Sequence, residues 1–153
     1  MAHPILEQWR RWSSRPMGRW AFSKVLARTI PYSGTIRPEV LSIEPGRAEV
    51  ALSDRRAVRN HLNSVHAIAL VNLGELTSGL ALNAGLPAEA RAIVTHLEID
   101  YLKKARGRLV ARCNTPIPDW RTPCEHVVEA PITDAHGDVV ARGRVRWKIG
   151  PKG

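Results

Sequence analysis

Glu75 is the residue most out of keeping with its surroundings. It lies inside VHAIALVNLGELTSGLAL, from Val65 to Leu82, and is the only acidic or basic side chain there apart from His66. A carboxylate among apolar neighbours is costly to bury unless it is paired or put to use. Lost hydration would raise its pKa toward the range in which it serves as a general base. The segment Asn60-His61-Leu62-Asn63-Ser64-Val65-His66-Ala67 leads into the same stretch. A helix that begins there presents unpaired N–H groups and a positive dipole end, suited to a developing oxyanion. A base and oxyanion donors together describe attack on an acyl carbonyl.

The two halves cannot meet within one chain. Ala67 and Glu75 are eight residues apart, about 12 Å along a helix at ~1.5 Å per residue. Base and oxyanion donors must lie within roughly 3 Å of the reacting atoms. Either the helix is not catalytic or two copies share the site.

Asn72, Glu75, Ser78 and Gly79 follow one helical stripe, which could equally be a narrow solvent-facing strip. Thr77 points elsewhere but could enter a shared pocket. Asn60 suits either a substrate contact or an ordered turn. Six histidines raise the question of a metal, but His61 and His66 are five apart, off the one-face spacing of a helical zinc pair. No metal is expected. Cys113 and Cys124 match no metal or redox spacing, and neither has a placed base that would make it a nucleophile.

The segments that precede and follow the apolar stretch form a pattern that points to a fold class. Residues His3 to Ile30 read as two helices separated at Pro16, with Ile5, Leu6, Trp9 and Trp12 at helical spacing. Pro31-Tyr32-Ser33-Gly34 reads as a break. Thr35–Ile43 and Arg47–Ser53 read as strands joined by a Pro45-Gly46 turn. Val65 to Leu82 is apolar nearly all round, as a buried helix is. Ser64 is a candidate cap, and Gly85 and Pro87 are termination signals. Downstream, Ile93, Thr95, Leu97, Ile99 and Tyr101 alternate with His96, Glu98 and Asp100. Leu109–Cys113, Glu125–Thr133 and Val139–Ile149 follow, the last two around Asp134-Ala135-His136-Gly137-Asp138. The last strand has one apolar face and one bearing Arg142, Arg144, Arg146 and Lys148. An antiparallel sheet wrapped around one buried helix, an α+β arrangement, satisfies this order.

The chain has 153 residues, the size of one domain, with 44% hydrophobic residues to build its core. Lys and Arg number 23 against 14 Asp and Glu, a net charge of +9. That favours an anionic partner such as a phosphorylated small molecule, a lipid surface or nucleic acid. No helix-turn-helix, zinc or RNA-binding sheet signature is present, which argues against nucleic acid. Trp9, Trp12, Arg10, Arg11 and Arg15 suggest an interfacial helix, but Pro16 ends it early and peripheral membrane contact is not expected. The N-terminus lacks a signal-peptide pattern, so a cytoplasmic location with reduced thiols is expected.

The loop Asn60 to Ala67 resembles that of the hotdog-fold acyl-CoA thioesterases of the phenylacetate type, and is most similar to a thioesterase-like branch reading Asn-His-x-x-(Ser/Thr)-Val-His-Ala. Thr95-His96-Leu97-Glu98-Ile99-Asp100-Tyr101-Leu102-Lys103-Lys104-Ala105-Arg106-Gly107 resembles the family's long strand and following turn. The resemblance covers most of Tyr32 to Ile149. It implies a hotdog domain at 32–150 behind a helical extension at 1–31. It also implies thioester hydrolysis by a homodimer or homotetramer, with Asn60, His66 and Ala67 at the helix start facing Glu75 of another copy. The family's His-Gly-Gly is His66-Ala67-Ile68 here, and its usual Asp is Glu75. No cofactor is implied beyond coenzyme A as part of the substrate; Asn72, Thr77 and Ser78 are candidate substrate contacts by their places on the helix alone. Lys103, Lys104 and Arg106, near the end of the long strand, could hold the coenzyme A phosphates, as could Arg142, Arg144 and Arg146, though such charges more often form a solvated surface. A related protein that binds an acyl ligand without turnover is the alternative.

Overall fold

The computed structural model describes residues 1–153. The stretch around Glu75 forms helix α4, Ala67–Gly85, and the strands close on it. Strands β1 (Glu39–Glu44) and β2 (Arg47–Leu52) form a hairpin before it. Strands β3 (Ala90–Tyr101), β4 (Leu109–Asn114), β5 (Cys124–Thr133) and β6 (Val139–Pro151) follow. All pairings are antiparallel, in one six-stranded sheet of order β1-β2-β4-β5-β6-β3. Helix α4 packs on every strand, so this is the hotdog arrangement of a sheet wrapped around a central helix. Leu73, Leu82, Val50, Val128, Val145 and Ile149 are among its fully buried contacts. The α4 segment is long and apolar enough to cross a membrane, but 72% of it is buried inside the fold. It is a core helix.

Helices α1 (Pro4–Ser13) and α2 (Gly18–Thr29) lead in, as the spacing of their tryptophans indicates. The α1 apolar face is turned inward: Trp9 and Trp12 meet the Phe22 ring edge-on, with centroids 5.1 and 6.5 Å apart. Leu6, Trp9, Phe22 and Leu26 join the same hydrophobic core as the sheet and α4. Packing thus engages Trp9 and Trp12, two of the residues that suggested an interfacial helix, while Arg10, Arg11 and Arg15 stay exposed.

Five local readings need correction. Pro31-Tyr32-Ser33-Gly34 is one more helical turn, α3, because proline suits a first helical position. The following strand therefore starts at Glu39 rather than Thr35. Helix α4 begins at Ala67 rather than Val65, because the Val65 N–H is engaged by the Ala105 carbonyl at 2.8 Å. His66, not Ser64, caps it, with Nδ1 accepting the Ile68 N–H at 3.0 Å. The helix runs through Gly85, where a side chain would collide with Ile117; close approach, not helix termination, accounts for this glycine.

The most consequential correction lies in β3. A bulge between Val94 and His96 changes which residues face the core. Ala92 and Val94 pair with Ile149 and Trp147 on the helix side, whereas Ile93 pairs with Lys148 and is 54% exposed. Beyond the bulge Leu97, Ile99 and Tyr101 face inward. Strand β3 is also the sheet edge, a 12-residue strand bonded on one side only. A long unpaired edge carrying apolar side chains is a template for another strand.

Candidate functional site

Two turns into α4, Glu75 is half-buried. Burial raises its carboxyl above the ordinary range, and no other group of the chain offsets that shift. Its side chain lies at the junction of two spaces. One is an open groove of about 340 Å³ between α4 and the β3 edge, shared with Ile68, Val71, Val94 and Leu97. The other is a smaller pocket of about 230 Å³ beneath the N-terminal helices.

The start of α4 lines a separate cleft of about 370 Å³ with Asn60, Tyr101 and Lys104. Asn60 Oδ1 accepts three hydrogen bonds, from Leu62 N (2.9 Å), Ser64 N (3.2 Å) and Ser64 Oγ (3.2 Å). Asn60 is thus the ordered-turn residue, and the same contacts fix its amide so that the NH2 is left without a partner. The Ala67 N–H is at the first helical position and likewise has no acceptor within the chain. Tyr101 donates its hydroxyl to the Ala67 carbonyl at 3.0 Å, tying the end of β3 to the helix start. Burial raises the Tyr101 pKa, keeping it a neutral donor. Sequence reasoning placed Tyr101 at the end of the alternating strand without giving it a site role, and nothing in the sequence marks its bond to the helix start.

The remaining predicted residues divide. His66 caps the helix and lines a different hollow, with Tyr32 and Ile36. With Nδ1 accepting the Ile68 N–H, it orders the backbone rather than carrying a proton to the cleft. Asn72 is buried, but its amide donates to the Tyr32 carbonyl at 3.3 Å beside the Glu75 groove. Ser78 donates to the Glu75 carbonyl at 2.8 Å and accepts from Trp147 Nε1 at 3.3 Å, a buttress rather than a pocket wall. Thr77 is wholly buried and returns its hydroxyl to Leu73 O at 2.7 Å, so it turns away from both spaces. Lys103 is held by Asp134 and Asp138 at 2.9 and 2.6 Å, while Lys104 and Arg106 carry no ion pair. Arg144 is bound by Glu98 and Asp100 on the outer sheet face, away from α4. Cys113 is buried and its thiol is pushed up to about 12, which leaves it unreactive at neutral pH. No three His, Cys, Asp or Glu residues gather as metal ligands.

The Ala67 position allows a clean substitution. His66 has φ −63° and ψ 141°, the geometry favoured before proline, and proline is tolerated at a first helical position. Ala67→Pro therefore removes the free N–H while keeping the helix. Where such an N–H polarises a reacting carbonyl, its deletion costs about 10²–10³ in turnover. Circular dichroism matching the wild type, together with a kcat loss of that size, is the expected pair of results.

A search of curated proteins found no match. Among solved structures, the chain is similar to a structural-genomics protein designated APC5556, with 29% identity and a TM-score of 0.85 over 97% of this chain and 99% of that one. A Pseudomonas aeruginosa protein of unknown function, described as a probable thioesterase, superposes with a TM-score of 0.76 at 21% identity, over 82% of this chain and 91% of that one. A Haemophilus influenzae thioesterase superposes with a TM-score of 0.69 at 13% identity, over 78% and 82%. At the last two levels of identity it is the fold that is shared. The family model described as a domain of unknown function, DUF4442, matches residues 18–149, and the chain belongs to that family.

Proposed function

We propose that the protein is a thioesterase, hydrolysing an acyl thioester of coenzyme A or of an acyl carrier in a site shared between two copies. The observation that carries this reading is the division of one apparatus between two clefts. The raised, unpaired Glu75 carboxylate opens onto the groove beside β3, while the free Ala67 N–H and Asn60 NH2 lie in the cleft at the helix start. An isologous dimer brings each residue of a contact pair against its counterpart twice. A two-fold axis beside Val71, midway between Ala67 and Glu75, sets the carboxylate of one copy against the helix start of the other. The unpaired β3 edge and the exposed Leu97 and Ile68 supply the surface for that contact. The thioesterase descriptions of structural neighbours point the same way.

In this arrangement Glu75 takes a proton from water as the water oxygen attacks the thioester carbon. The carbonyl oxygen gains negative charge facing the Ala67 N–H and the Asn60 amide of the other copy. The C–S bond then breaks, the sulfur leaves with the proton from Glu75, and the acid is released. Lys104, which lines the cleft, and Arg106, two residues further on and free of ion pairs, suit the phosphates of coenzyme A; Lys103 also lines the cleft but already has its counter-ions.

The test is thiol release from a panel of acyl-CoA and acyl-carrier thioesters by the full-length protein. Turnover well above spontaneous hydrolysis is expected for at least one. Tight binding of every thioester without any thiol release would mean the fold holds acyl ligands and does not cleave them.

A further inference from the structure

The pocket of about 230 Å³ on the inner side of Glu75 plays no part in the steps above. It follows α4 from Glu75 to Asn83, eight residues or about 12 Å at ~1.5 Å per residue. Its walls are mostly apolar between the two ends, with Leu76 and Leu80 from the helix, Trp147 from β6, and Ile5 and Ile30 from the N-terminal helices, interrupted by Ser33. Ile5 lies before the family-matched segment, so part of the wall comes from the N-terminal helical extension.

We propose that this pocket receives the acyl tail of the substrate, that it admits short to medium straight chains only, and that the N-terminal helices set the limit. The proposal rests on the thioesterase reading for the bond that is cut, and on the pocket itself for what fits. A thioester carbonyl at Glu75 has two ways to extend. The groove on the β3 side leads to the surface that the second copy covers and to the other cleft, where the cationic residues stand. The inner pocket is the apolar alternative, and it is continuous with the carboxylate.

Size and chemistry set the limit together. The volume holds about seven or eight non-hydrogen atoms at roughly 30 Å³ each, the share of one water molecule. The far end is polar. Ala2 is bridged to Pro87, which places His3 at the C-terminal end of α4 beside Asn83. His3 Nδ1 accepts the Ile5 N–H at 3.4 Å, and Asn83 Nδ2 donates to Gly79 O at 2.9 Å. His3 Nε2 and Asn83 Oδ1 remain free. A longer hydrocarbon would cover them without replacing their water, a penalty that offsets further apolar gain. The floor cannot easily give way, because Trp147 is pinned through Ser78 to the Glu75 carbonyl. Gly79 leaves it room: a Cβ there would stand 3.2 Å from Trp147 Cη2.

The experiment measures the affinity of S-alkyl-CoA thioethers, which cannot be hydrolysed, from methyl to dodecyl. For the wild type, affinity is expected to rise about fourfold per methylene until the pocket is full near hexyl, and then level off. Ile30→Trp, at a half-exposed wall residue outside the core, should move the plateau to shorter chains and leave the methyl thioether unaffected. Asn83→Ala should move it to longer chains. A parallel titration with 1-alkanols, read by tryptophan fluorescence with Trp147→Phe as control, reports on the pocket without coenzyme A. Affinity climbing unbroken to dodecyl, or the same plateau in both variants, overturns the proposal. An alkanol plateau that both variants move, with no thioester cleaved, keeps the pocket and ends the thioesterase reading. Glu75-dependent cleavage with chain-length preference indifferent to Ile30 and Asn83 does the reverse.

Discussion

Glu75→Gln is expected to lower kcat by about 10²–10⁴-fold, the range contributed by a positioned general base, while leaving fold and oligomeric state unchanged. Gln keeps the shape and removes only the proton acceptor. The pH dependence has a definite sign. Burial holds the Glu75 carboxyl above the ordinary range, so wild-type activity should rise with pH through that raised value, as the active base forms. Stability runs the other way. A folded-state pKa raised above the unfolded one contributes stability that is fully present below the unfolded pKa and lost as pH rises through the folded pKa. At neutral pH the ionised Glu75 is therefore a cost, which Gln avoids. Thermal unfolding should show Glu75→Gln more stable than wild type at neutral pH, with the gap closing in acid. A less active but also less stable variant would mean that Glu75 is part of a structural pairing instead.

Leu97→Asp is expected to turn the proposed dimer into monomers and to abolish the proposed hydrolysis in the same step. Leu97 is 39% exposed on the unpaired edge strand and lies outside the hydrophobic core. A charge there leaves the monomer intact. In a dimer joined along β3, two such charges would be desolvated beside the two-fold axis, and like charges brought together there repel. Sedimentation should show the mass fall to that of one chain, with circular dichroism unchanged. An active monomer would place the whole reaction within one copy, against the ~12 Å that separates Ala67 from Glu75 along the helix.

The central helix, the six strands and the two N-terminal helices were legible in the sequence because each is specified by its own periodicity. An all-round apolar run with one carboxylate reads as a core helix, whatever the carboxylate does. What was not legible depends on contacts between distant segments. The β3 bulge moves Ile93 to the outer face and Val94 to the inner one, and strict alternation cannot show where a strand inserts a residue. Ser64 looked like the cap because serine favours that position. His66 takes it, because Val65 is drawn into pairing with Ala105, forty residues later. Thr77 and Lys103 were plausible site residues by type alone, until Leu73 and the Asp134 and Asp138 carboxylates claimed them. Tyr101 came to the site through a hydrogen bond to a backbone carbonyl that no side-chain motif records. The distance between Glu75 and Ala67, by contrast, followed from helix geometry and nothing else.

Mixing two inactive variants tests the shared site most directly. Ala67→Pro and Glu75→Gln chains are combined, allowed to exchange, and assayed for thiol release. In a hybrid dimer one site carries both defects and the other carries none. With random exchange half the dimers are hybrids, so activity should recover to about a quarter of the wild-type value. Recovery to that level is the result predicted here. A mixture that stays as inactive as its parents, after hybrids have been shown to form, would contradict the sharing of Glu75 and Ala67 between copies.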